Sequence, residues 1–171
     1  MFKLGKKDEA VEFLEYALNN TSKKRDLQFK LANFYQQKGN NFQAEALYKQ
    51  ILQQDKNNKY ALNNLALLYS TQKQKDKAIF YASKAYEQSP NMPEILDTYG
   101  YILIDNGQIK QGLDILVKAT ELKPEKTQFK IHLAEAYSLN GNNAKAVTLL
   151  ESILNTPNKE NIHNKSEVIK L

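Results

Sequence analysis

Apolar positions along this chain return at a fixed interval. The stretch "LANFYQQKGNNFQAEALYKQI", Leu31 to Ile51, is followed by "LALLYSTQKQKDKAIFYASKA", Leu65 to Ala85. After it come "YGYILIDNGQIKQGLDILVKA" and "LAEAYSLNGNNAKAVTLLESI", each 34 residues beyond the last. Each block holds two patterns of helical period. Leu31, Ala32 and Tyr35 fall at i, i+1 and i+4; Ala44, Leu47, Tyr48 and Ile51 fall at i, i+3, i+4 and i+7. Both spacings gather their apolar members on one helical face, which predicts a pair of amphipathic helices per block.

The breaks between patterns carry their own signals. Gly39-Asn40-Asn41, Gly107-Gln108 and Gly141-Asn142-Asn143 separate the two helices of a block. Glycine just past a helix end takes up the left-handed conformation of a C-cap at little steric cost. Lys73 holds that place in the second block, whose turn is therefore expected to be less well capped. Between blocks stand Ser89-Pro90-Asn91, Lys123-Pro124-Glu125 and Asn155-Thr156-Pro157, where proline stops a helix. Lys56 and Ser22 occupy the corresponding places elsewhere, so those linkers are expected to rely on weaker breakers.

Small residues recur in register at Ala10, Ala44, Ala78, Gly112 and Ala146, and again at Ala32, Ala66, Gly100 and Ala134. Ala or Gly at a crossing lets two helix axes approach, while large neighbours fill the groove on either side. A hairpin this short cannot bury its apolar face alone, so successive hairpins are expected to stack.

These blocks closely resemble the tetratricopeptide repeat: 34 residues, helix A, a tight turn, helix B, and small residues at repeat positions 8 and 20. With Arg25, Lys59, Pro93 and Thr127 at position 1, every series above falls on that pattern. Departures are modest: Gln28, Leu62, Leu96 and Lys130 stand at the usual tryptophan place, and Gly112 replaces a commoner alanine. The resemblance implies an all-α, right-handed superhelical solenoid of antiparallel helix pairs. It divides one solenoid domain, 1–171, into a partial repeat over 1–24, full repeats over 25–58, 59–92, 93–126 and 127–157, and a capping segment over 158–171. In that frame the chain opens inside a repeat with helix B near Lys7 to Asn19, which reads as the end piece of a longer array. At the other end, Ile162, Ser166 and Ile169 suggest a short capping helix. The segment "LDTYGYILIDNGQIKQGLDILVKATELKPE", with one further repeat and the tail, also resembles the C-terminal end of repeat proteins of bacterial exosortase-linked exopolysaccharide systems. That narrower likeness implies a periplasmic or cell-envelope location; without it a cytoplasmic one is expected.

In such arrays the A helices line a concave groove that binds an extended peptide or a partner helix. Carried over by position, the groove contacts are Phe29 and Asn33 in one repeat and Tyr60, Asn63, Asn64 and Leu67 in the next. Asp97, Tyr101, Asp105 and His132 continue the set, with Ile104 and Ile131 among the further groove-facing places. Asn33 and Asn64 match the asparagine pair with which chaperone-binding members hold a peptide terminus. The basic partners of that clamp are missing, since Phe29, Glu94 and Thr98 stand in their places. Backbone gripping is therefore expected and carboxylate capture is not. Tyr101 reads equally well as a groove contact or as packing between A helices, and Asp97, Asp105 and Glu94 would favour a peptide carrying positive charge.

Composition narrows the remaining choices. The chain has 171 residues, 42% hydrophobic and 25% charged, and contains no cysteine, which excludes thiol chemistry and disulfides. Net charge is +5, but Arg25 is the lone arginine and lysines alternate with acids, unlike the clustered arginine of nucleic-acid binders. No apolar run is long enough to span a bilayer. His132 and His163 are the only imidazoles and no glycine-rich phosphate loop is present, so no catalytic residue, metal or cofactor is expected. The expected partner is a protein or peptide, with no nucleic acid and no direct membrane insertion. The alternative is a self-associating structural element of an envelope or exopolysaccharide assembly, dimerising through the truncated N-terminal repeat.

Overall fold

The computed structural model describes Phe13, Leu14, Tyr16 and residues 24–155. Among these residues eight α-helices run in pairs: α1 (Lys24–Gln37) with α2 (Asn41–Gln54), and α3 (Lys59–Thr71) with α4 (Lys75–Gln88). The series continues with α5 (Pro93–Asp105) and α6 (Ile109–Leu122), then α7 (Thr127–Leu139) and α8 (Asn143–Leu154). The described residues contain no strand, and the fold class is all-α. The partial repeat's helix near Lys7 to Asn19, apart from the three residues named, and the capping segment lie outside the described residues. The chain separates into two compact units, Met1–Gln88 and Ser89–Leu171.

In both units each hairpin turn is closed by the same backbone hydrogen bond. Asn40 N–H donates to Tyr35 O at 2.8 Å, Gln74 to Tyr69 O at 2.9 Å, Gln108 to Leu103 O at 2.9 Å and Asn142 to Tyr137 O at 2.8 Å. Each is the six-residue bond of a Schellman cap, and its acceptor is always the large residue of one periodic series. Gly39, Gly107 and Gly141 sit at the required positive φ of 77°, 79° and 78°. Lys73 adopts it too, at 59°, and its turn makes the same hydrogen bonds. The expected deficit at Lys73 is thus one of backbone conformation, not of capping bonds. The linker at Lys56 is likewise better built than its residue types suggested. Asn58 Oδ1 accepts from Ala61 N–H at 3.1 Å as an N-cap, and Asn58 Nδ2 donates to Asp55 Oδ2 at 3.2 Å.

The small residues lie where helices cross. Ala32, Ala44, Ala66, Ala78 and Ala134 are at most 1% exposed. In the α5–α6 pair both small positions are glycine, and the backbones come closer still. A Cβ built on Gly112 would lie 2.8 Å from Gly100 O and 2.7 Å from Ile104 Cδ1. In the second unit Ile104, Leu116, Leu133 and Ala136 form a core cluster, with Leu113, Val117 and Tyr137 packed against it. In the first, Leu14 and Leu31 are joined by Leu27, Phe34, Tyr35 and Leu47. Fully burying a side chain such as Leu116 contributes about 1.5–3 kcal/mol.

Candidate functional site

In the first unit, helical spacing places Phe29, Asn33 and Gln36 along one face of α1, and Tyr60, Asn63, Asn64 and Leu67 along one face of α3. The structure brings Asn33 and Asn64 together. Asn64 Nδ2 donates to Asn33 Oδ1 at 2.9 Å and lies 3.1 Å from the hydroxyl of Tyr48. Tyr48 O–H donates to Asn33 Oδ1 at 2.6 Å, with Gln36 Oε1 at 2.9 Å from the same hydroxyl. Tyr48 reaches this point from α2 and is fully buried, which pushes its phenol up to about 12, against a partial offset from Asn64. After these bonds, Asn33 Nδ2 and Asn64 Oδ1 have no hydrogen-bond partner among the described residues, and neither is sealed from solvent.

Beside the amides stands an aromatic shelf. The Phe29 ring meets Tyr48 edge-on at 5.9 Å and Tyr60 at 6.2 Å. Tyr60 is 48% exposed, and Lys59 Nζ lies 5.4 Å from its centroid. Leu67 is half-buried, and the carbonyl Oδ1 of Asn63 is buried with no hydrogen-bond partner.

The second unit carries a different chemistry at matching register. Tyr101 and His132 stand 68 residues beyond Asn33 and Asn64, and their rings pack with centroids 4.5 Å apart. His132 Nδ1–H donates to Asp97 Oδ1 at 2.8 Å, while Nε2 receives the Gln128 amide at 2.9 Å. Asp97 is only 7% exposed. Tyr101 is half-buried; burial first, then the carboxylates of Glu135 and Asp105, hold its phenol above the ordinary value. Glu94, one turn before Asp97, is engaged by Lys123, whose ammonium keeps the Glu94 carboxyl below its usual range against a smaller opposing effect of burial.

Asp97 and Thr98, at 7% and 5% exposed, are buried although their register was expected to face a groove, and two isoleucines turn inward altogether. Ile104 is 6% exposed within the core beside Leu116 and Leu133, and Ile131 is 5% exposed against Ile153. Isoleucine lining such a strip gains more by turning into the neighbouring helix than by meeting water. Tyr48, in turn, was not anticipated as a partner of the asparagines. Its signal was present: at that register the other repeats hold Ala82, Leu116 and Leu150, and a buried phenol needs a hydrogen-bond partner. Among the described residues no group of three or more His, Asp or Glu side chains could hold a metal ion, and no helix is long and apolar enough to cross a membrane.

Paired helices, repeated in register with small residues at every crossing, define a helical-repeat protein. Comparison with known families names the repeat. Tetratricopeptide repeat profiles match residues 26–58 and 47–80, and the profile of anaphase-promoting complex, cyclosome, subunit 3 matches residues 71–153. The chain belongs to the tetratricopeptide repeat proteins. No curated protein sequence matches it. Among solved structures it is similar to TTC0263 of Thermus thermophilus, with 16% identity and a TM-score of 0.79 over 99% of this chain and 94% of that one. It is also similar to MamA of Desulfovibrio magneticus RS-1, at 16% identity and a TM-score of 0.72 over 89% and 86% of the two chains. A third is YrrB, described as a tetratricopeptide-repeat protein with an unusual peptide-binding site, at 21% identity and a TM-score of 0.66 over 95% and 85%. At these identities the likeness establishes the fold, a helical solenoid of repeats.

Proposed function

We propose that this chain is a protein-interaction scaffold whose A helices hold an extended peptide segment of a partner protein. The observation that carries the reading is the pair of amide atoms left over in the first unit. Asn33 Nδ2 offers one donor and Asn64 Oδ1 one acceptor, the complement of a peptide group's C=O and N–H. Their orientation is fixed beforehand by the buried Tyr48 hydroxyl, so little ordering cost remains when a peptide arrives. The exposed Tyr60, backed by Phe29, supplies apolar area next to the amides, the composition of an interface hot spot.

The test uses a displayed library of unstructured peptides, followed by titration of one selected binder. Asn64→Ala is expected to weaken that binder roughly 3- to 12-fold, the worth of one net hydrogen bond of about 0.7–1.5 kcal/mol. Methylating the single backbone nitrogen facing Asn64 should weaken binding to the original chain and add nothing further in the Asn64→Ala background. Failure to select any binder, or unchanged affinity for a folded Asn64→Ala chain, refutes the reading.

A further inference from the structure

The second unit repeats the register of the asparagine pair but changes its chemistry. Asp97, Tyr101 and Asp105 follow one another at i, i+4 and i+8 on α5, and Gln128, His132 and Glu135 at i, i+4 and i+7 on α7. No lysine or arginine is among these six positions, while three are carboxylates. The imidazole is committed on both edges, to Asp97 and to Gln128, so it presents its ring and not a free N–H. Asp97 is more than nine-tenths buried, yet only its Oδ1 is satisfied; Oδ2 makes no hydrogen bond among the described residues and is not closed off from solvent. A carboxylate oxygen left open at that depth is costly to desolvate unless a donor arrives. Glu135 likewise makes no ion pair or hydrogen bond among the described residues. Glu94, earlier on α5, is engaged by Lys123.

We infer that this strip of α5 and α7 receives a cationic side chain, lysine or arginine, of a peptide bound along it, with Tyr101 as its aromatic floor and Asp97 Oδ2 and Glu135 as its counter-charges. The inference rests on the reading of the A helices as a peptide-holding surface and concerns the second unit by itself. A guanidinium or ammonium is the group that satisfies all three elements at once. It is attracted to a ring face, it donates several hydrogen bonds, and it meets both the Glu135 carboxylate and the Asp97 oxygen that His132 leaves open. A neutral side chain would leave the Asp97 oxygen unmet. An acidic one would be repelled.

The experiment measures binding of the whole chain to random nonapeptide pools whose central residue is fixed as arginine, lysine, citrulline or glutamate. The arginine and lysine pools are expected to bind roughly three- to tenfold tighter than the citrulline pool, with glutamate weakest and the gap shrinking as salt is raised. Glu135→Gln should narrow the arginine–citrulline gap. Equal binding of arginine and citrulline pools overturns the cation site while leaving the peptide reading standing. An arginine preference that survives both Glu135→Gln and a folded Asp97→Asn chain overturns it as well. Should no pool bind, the peptide reading fails and this inference goes with it.

Discussion

The glycine pair between α5 and α6 offers a sharp test of how this fold is packed. Replacing Gly112 by alanine has two opposed effects. Alanine is the better helix former by about 1 kcal/mol, so on propensity alone the variant should be more stable. Packing argues the other way. The added methyl would sit 2.8 Å from the carbonyl oxygen of Gly100 and 2.7 Å from Ile104 Cδ1, where ordinary contact begins near 3.4 Å. A side-chain end can rotate aside, but a backbone oxygen in the middle of α5 cannot, so the two helices must separate by several tenths of an ångström. That movement would loosen Leu103, Leu116 and Ala119, all at most 1% exposed. Overpacking of a well-filled core costs about 1–3 kcal/mol, and the backbone obstacle places this case toward the upper end. The expected balance is a net loss of about 1–2 kcal/mol, read as a lower midpoint in urea followed by circular dichroism. Trimming Ile104 to valine in the same chain should restore part of the loss, since it shortens one of the two obstacles, taking away Cδ1 at 2.7 Å and leaving Cγ1 at 2.8 Å on a smaller side chain. The other, against Gly100 O, should persist in a double-mutant cycle. A Gly112→Ala chain as stable as the original, or more so, would show that the helices have room to spare, and the close-approach argument would fail.

Two further outcomes follow from the turns and the buried phenols. Lys73→Gly should raise stability by up to about 1 kcal/mol, because release from the left-handed conformation outweighs the flexibility glycine adds to the unfolded chain; a lower urea midpoint would contradict this. Tyr48 and Tyr69 are both pushed up to about 12 from an ordinary 10.0, chiefly by burial. The unfolded chain therefore gives up these protons first, so their contribution is intact below about pH 10 and is lost as pH climbs from there toward 12. Tyr48→Phe should flatten part of that alkaline decline in thermal midpoint, and an unchanged pH slope would show that the phenol is not protected.

Much of this architecture was legible before any coordinates. The 34-residue return of Ala44, Ala78, Gly112 and Ala146 located the crossings, and Gly39, Gly107 and Gly141 marked the turns, because both features depend on local sterics that a sequence displays directly. What stayed hidden depended on which of two helices a side chain leans toward. Ile104 and Ile131 were assigned to a groove by register, but register fixes a position to within one residue's arc, and apolar side chains at that margin turn inward. Register put the two asparagines side by side, yet it did not give Tyr48, which lies on the other helix of the hairpin and reaches the pair through the core. Asp97 and His132 are 35 residues apart, one more than the repeat, and that offset becomes meaningful only once α5 and α7 are known to lie side by side.

The hairpin clasp, four times a carbonyl of Tyr or Leu accepting from a backbone amide five residues on, uses no side-chain atom at all. Beyond the one left-handed position that favours glycine, a joint of that kind imposes almost no spelling on the residues around it. The helix faces beside it are free to diverge, as the amide pair and the aromatic–acidic pair have done, while the geometry that presents them is inherited unchanged. Such a gene can grow or shrink by whole copies and acquire new recognition letters one repeat at a time, without having to reinvent the hinge between the two arms.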